Sequence, residues 1–184
     1  MIKFKLIFLL IFTNILYATT YTIDEKTKLF NLLTSAQVYI DKTRSLTIDD
    51  ISKKDIEFKD NDKELLSYGY SPDFNVWVKF TLKNNSNKNI SKILEYDNPL
   101  TTQLVLFDIK ENKQYKEGIF HIESNRKAIN PFFNISLKPG ESKTYYLKAS
   151  TYITTLIIKL NLWETHSFYN KEESVLNSVS SHQM

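Results

Sequence analysis

One stretch constrains the chain more than any other. From Asn75 to Lys83, Val76, Val78, Phe80 and Leu82 alternate with Trp77, Lys79, Thr81 and Lys83. A period of two puts the aliphatic set on one face of a half-buried strand, and no amphipathic helix tolerates it. The polar run Asn84 to Asn89 closes this strand as a turn. Similar short apolar runs recur along the chain. They predict strands at Val38 to Ile40, Ile93 to Tyr96, Gln103 to Ile109, Gly118 to Glu123, Phe132 to Leu137, Lys143 to Ala149 and Thr154 to Trp163. Lys138-Pro139-Gly140-Glu141 supplies turn chemistry between two of them. Strands at this spacing, with no helical repeat between them, favour an antiparallel β-sandwich over an α/β fold. Only Thr47 to Ile51, with Thr47 at the head, reads as a short capped helical turn, and the polar lead-in Tyr21 to Ser35 as a helical segment.

At 184 residues the chain has room for one domain with a proper core. The N-terminus is set apart. Lys3 and Lys5 precede an apolar run from Leu6 to Phe12, and Tyr17-Ala18-Thr19 offers a small residue for cleavage, the order of a secretory signal. The expected organisation is a signal peptide over 1–18, a polar lead-in over 19–35, a sandwich over 36–168 and a polar tail over 169–184. The expected location is the periplasm, and no membrane span is expected in the processed chain.

Composition removes several function classes. A net charge of +3 with dispersed basic residues argues against nucleic-acid binding. With no cysteine, the chain has no disulfide scaffold, thiolate metal site or cysteine nucleophile. His121, His166 and His182 lie too far apart for a metalloprotease spacing, and three glycines build neither a phosphate loop nor a nucleophile elbow. Asp60-Asn61-Asp62 begins like a calcium loop, but Leu65 replaces its glycine and Ser71 its closing glutamate. No enzyme activity, metal or cofactor is expected.

A set of motifs in fixed order carries a resemblance. It runs through Val38-Tyr39-Ile40-Asp41, Ser45 to Asp50, Tyr68-Gly69-Tyr70-Ser71, Val76 to Asn84 and Leu94 to Leu100. It continues through Leu104 to Phe107, Gly118, Arg126, Tyr145 to Lys148 and Leu160 to Trp163. Over about Ala36 to Phe168 the chain resembles the type-2 extracellular domain of bacterial seven-transmembrane receptors with diverse intracellular signalling modules. That resemblance implies a jelly-roll-like sandwich similar to carbohydrate-binding modules. It implies, too, a role in sensing a small molecule, a carbohydrate among the candidates, for a membrane receptor with a diguanylate cyclase or histidine kinase output. A free-standing exported carbohydrate-binding or adhesion module is the alternative.

Strand alternation sets Trp77 beside Lys79 and Tyr146 beside Lys148, opposite the aliphatic face, and gives Trp163 a similar place on the last strand. The resemblance separately marks Trp77, Arg126 and Lys148, the last where the family more often has arginine. Flat aromatic faces beside charged groups suit a small polar ligand. Trp77, Lys79, Asp97, Arg126 and Lys148 are therefore expected to border one patch, with Tyr146 and Trp163 as further members. For Trp77 and Trp163 the competing reading is packing beneath a loop. For Arg126 it is an ion pair with Asp97 or Glu95.

Overall fold

The computed structural model describes residues 20–122 and 128–181. In chain order the elements are β1 (Thr20–Ile23), β2 (Leu29–Asn31), β3 (Gln37–Asp41), α1 (Ile48–Lys53), β4 (Lys59–Asp60), β5 (Leu66–Tyr70) and β6 (Asn75–Asn84). Then follow β7 (Ile90–Tyr96), β8 (Gln103–Asp108), β9 (Lys113–Glu117), β10 (Phe132–Leu137), β11 (Ser142–Ser150), β12 (Thr155–Ile158), β13 (Leu160–Glu164) and α2 (Thr165–Ser181). Short 3-10 turns occupy Leu32–Ser35 and Ile119–His121.

The fold is an all-β sandwich. A seven-stranded sheet runs β4-β3-β6-β11-β8-β9, with β1 alongside the far half of β6. A four-stranded sheet runs β10-β7-β13-β2, and β12 with β5 forms a separate ribbon. Apart from β1 on β6, every strand pair is antiparallel. The core lies between the sheets. Val76, Val78, Phe80 and Leu82 face it from β6, with Leu104, Leu106, Tyr145 and Leu147 beside them, and Leu94, Phe133, Ile135, Leu160 and Leu162 meet them from the smaller sheet. The aliphatic face of β6 is therefore the core face, as its alternation demands.

Three local expectations fail, each for a tertiary reason. The lead-in is not helical: β1 adds to β6 and β2 to β13, and only the 3-10 turn Leu32–Ser35 separates β2 from β3. The strand expected over Gly118 to Glu123 lies earlier, at Lys113–Glu117, where it pairs with β8. Gly118 ends it with φ +105°, and a Cβ there would sit 2.8 Å from the carbonyl oxygens of both Thr101 and Thr102. Only glycine accepts both conditions. Finally, Thr154 to Trp163 is two strands. The chain changes sheet at Lys159, whose carbonyl accepts from Asp97 N at 2.9 Å.

The segment between β3 and β4 folds back as an arm over the outer face of the large sheet. Buried Asp41 shapes its first turn by accepting from Thr43 N, Thr43 Oγ1 and Leu46 N at 3.0, 2.6 and 3.1 Å. Thr47 and Asp50 then form a reciprocal capping box at the start of α1. Ile51 and Phe58 anchor the arm by burying their side chains on the sheet.

Candidate functional site

The residues singled out by sequence do not form one patch. Those on β6 and β11 do meet: Lys148 stands opposite Trp77 and Tyr146 opposite Lys79 in the ladder. Yet the arm lies over them. Trp77 is fully buried, stacked on Phe107 at 5.7 Å, and shares a small apolar cluster with Ile51, Phe58 and Tyr146. Its Nε1 has no hydrogen-bond partner among the described residues. The Lys148 ammonium sits 5.1 Å from the Trp77 ring centroid and donates to the Leu46 carbonyl at 3.2 Å. Burial lowers the Lys148 pKa. Lys79 lies 5.6 Å over the Phe58 ring. These four side chains join the arm to the sheet, and Trp77 offers no face to solvent.

Asp97 and Trp163 belong to the opposite side of the molecule, on the outer face of the small sheet beneath α2. Glu95, also buried there, accepts from Trp163 Nε1 at 2.6 Å, from Asn130 Nδ2 at 2.8 Å and from Lys171 Nζ of α2. Asp97 accepts from Lys159 Nζ at 2.8 Å and from the same Asn130 amide at 2.9 Å. Partial burial works against ionisation of Asp97, but the hydrogen bonds from Lys159 and Asn130 hold its carboxyl below the usual value. Lys171 also pairs with Glu172 at 2.8 Å, and its charge lies 5.3 Å from the Trp163 ring and 5.0 Å from that of Phe168. Glu172 Oε2 in turn accepts from Ile129 N at 2.9 Å. The network clamps α2 and the strand-connecting segment around Asn130 to the sheet. Arg126 lies outside the described residues. The expected single patch is thus two faces, because β6 and β11 belong to one sheet and β7 and β13 to the other.

An open concavity lies elsewhere, where the arm returns past the edge of β3. A cleft of about 650 Å³ lies between β3, the outgoing end of the arm and β5. Tyr39 and Tyr68 line it, with Asp55, Glu57, Asp60 and Asn61 as polar groups and Lys42 and Lys59 as cations. Its walls are held in place. Gln37 Nε2 donates to Asp60 Oδ1 at 2.8 Å, and Asn61 Nδ2 donates to the Leu33 carbonyl at 2.8 Å. Tyr68 packs edge-on against Phe74 at 5.5 Å, and burial raises its hydroxyl pKa. Tyr39 touches the buried arm cluster through Phe58, at 5.8 Å between rings. Neither tyrosine was singled out as a site residue, although both fall inside motifs of the resemblance. Their ordinary alternation with core residues gave no cue that β3 would lie beside an open edge.

Among the described residues no group of histidine and carboxylate side chains is arranged to hold a metal ion. No described helix is long and apolar enough to cross a membrane. Residues 34–164 match the family model described as 7TMR-DISM extracellular 2. The chain belongs to this family. It is an extracellular domain family of membrane receptors, and the match covers both sheets apart from β1 and β2, together with the arm and the cleft. No curated protein matches the chain.

Proposed function

We propose that the chain is the periplasmic ligand-sensing module of a membrane signalling receptor, or a module derived from one, and that it takes a small polar ligand in the cleft between β3 and β5. The carrying observation is the cleft's lining: two tyrosine rings with carboxylates, an amide and lysines around about 650 Å³. That volume is in the range of small-molecule sites. Tyr39 and Tyr68 supply apolar surface for the C–H faces of a ligand, and Asp55, Glu57, Asp60 and the lysines supply hydrogen bonds for hydroxyls. A carbohydrate fits that combination best. Lys79 and Tyr146 contribute from beneath, because they hold Phe58 and so fix the arm that forms one wall.

A thermal-shift screen of the protein against sugars, amino acids and small acids tests this reading. A ligand at 100 times its dissociation constant raises stability by about 2.7 kcal/mol. The double variant Asp55→Asn, Glu57→Gln changes exposed groups on the cleft rim, so the unliganded melting temperature stays put while the ligand response falls. A response that survives the double variant unchanged, or no response to any compound, overturns the cleft as the site.

A further inference from the structure

The structure holds a second surface, unrelated to the cleft. Five connections meet at one end of the sandwich: those after β3, β5, β7, β9 and β11. The ladders place them there, since the last residue of β3, Asp41, pairs with the first of β6, Asn75. Likewise the last of β11, Ser150, pairs with the first of β8, Gln103. At this end six large apolar side chains stand in solvent: Tyr70 (73% exposed), Leu100 (59%), Phe120 (59%), Ile122 (60%), Tyr152 (45%) and Ile153 (57%).

Their loops are tied to one another. Ile119 N and Phe120 N donate to the carbonyls of Thr101 and Thr102, at 3.0 and 3.1 Å. Ser71 Oγ donates to the Tyr152 carbonyl at 2.7 Å, and Thr154 Oγ1 to the Leu100 carbonyl at 2.8 Å. Phe120 stacks on Tyr152 at 6.3 Å, and the Arg44 guanidinium lies 4.5 Å from the centroid of the Tyr152 ring. Six such groups gathered on mutually braced loop tips mark an interaction surface.

The direction of α2 says what that surface meets. Near its start Thr165 Oγ1 donates to the carbonyl of Ser91, at the far end of β7, whereas Lys171 reaches Glu95, near the end of β7 that leads into the Leu100 loop. The helix therefore climbs toward the apolar loops, and residues 173–181 carry it about 14 Å further in that direction. α2 follows the stretch matched by a family of membrane-receptor domains. We infer that this end of the sandwich faces the lipid bilayer and that its loop tips insert into the interfacial layer. Tyrosine and phenylalanine beside isoleucine and leucine are the side chains that favour the boundary between headgroups and acyl chains. Arg44, beside these tips, is already paired with Asp73 at 3.4 Å, and the six apolar side chains supply the insertion. The inference uses the receptor membership but not the cleft, and the two are tested separately.

The absence of native cysteine makes the test direct. Ile153→Cys, and as a control Asn87→Cys in the turn at the opposite end, each accept a single environment-sensitive fluorophore on the full chain. With vesicles of phosphatidylethanolamine and a minority of phosphatidylglycerol, the label at 153 brightens, shifts blue and is quenched by nitroxide-bearing lipids. The label at 87 does none of these, and high salt leaves the difference intact. Adding Phe120→Ser to the labelled 153 variant weakens partitioning about tenfold, the loss expected for removing one large apolar side chain from the interface. Equal responses at both positions, or a label at 153 shielded only in a sedimenting dimer without lipid, overturns the inference.

Discussion

The two outer faces of this sandwich solve the same problem with different chemistry. Each sheet has one face in the core and a second that would otherwise be wet. The large sheet is covered by the arm, which buries Trp77, Ile51, Phe58 and Tyr146 against one another. The small sheet is covered by α2, whose Lys171 is held by Glu95 within a network of charge-assisted hydrogen bonds that also joins Trp163, Asn130, Asp97 and Lys159. An apolar seal is strong, indifferent to pH and tolerant of one unpaired indole N–H. A polar clamp fixes direction, because each donor must find its acceptor, and it answers to pH and to salt.

Mutations can break or sharpen this contrast. The largest effect is expected at the apolar seal: Trp77→Ala costs about 3–5 kcal/mol, as for any fully buried large side chain. Chemical denaturation reads this loss, and it is the same at low and high salt. A cost near zero would show that the arm does not need the sheet beneath it. Next comes the polar clamp. Glu95→Ala removes the buried acceptor of Trp163 Nε1 and one of the two carboxylates paired with Lys171, and costs about 1.5–3 kcal/mol. Hydrogen exchange locates that loss in α2 first, while the arm keeps its protection. Uniform loss over both faces would mean that the two covers are not separate.

The smallest effect is a pH dependence. The folded pKa of Asp97 is depressed below its unfolded value of 3.8, so its contribution is complete above that pH and disappears as pH falls through the folded value. Hydrogen bonding to Asp97 raises Lys159 above 10.5, so the lysine's contribution is complete below 10.5 and is lost as pH rises through the raised value. Asp97→Asn therefore lowers stability at neutral pH by about 0.2–1 kcal/mol, as for a partly exposed pair. The gap to wild type closes in acid. A gap that stays constant down to the acid transition would remove Asp97 from the clamp.

The parts of this architecture that sequence made legible are those governed by local period. The core face of β6, the pairing of alternate residues on β11 and the turn at Gly140 follow from alternation and turn chemistry. The family, too, was legible from motif order. What sequence concealed was which sheet each strand joins. β12 and β13 keep one alternation, with Leu156, Ile158, Leu160 and Leu162 all buried, straight through the change of sheet at Lys159. Both sheets look onto one core, so an inward residue stays inward on either side of the switch, and periodicity carries no trace of it. The same blindness merged Asp97 and Trp163 with Trp77 into one expected patch. The arm was hidden for another reason: Ile51 sits in the short helix α1 and Phe58 beyond its end, so no periodic run joins the two residues that tertiary contact anchors. Lys171 was overlooked because it lies in the stretch 169–184, which reads as a polar tail with no periodic apolar face to place it against a sheet.

The change of sheet at Lys159 also gives the molecule a mechanical line. Leu66 and Tyr68 of the cleft wall lie on β5, which is laddered to β12. One residue, Lys159, joins β12 to β13, and β13 runs without a break into α2. The wall of the cleft and the helix that climbs toward the apolar loops are therefore two stations on a single taut thread. Its midpoint is tethered by Asp97, which takes the Lys159 side chain with its carboxylate and the Lys159 carbonyl with its own N–H. Slack introduced at that tether would let either end shift without the other.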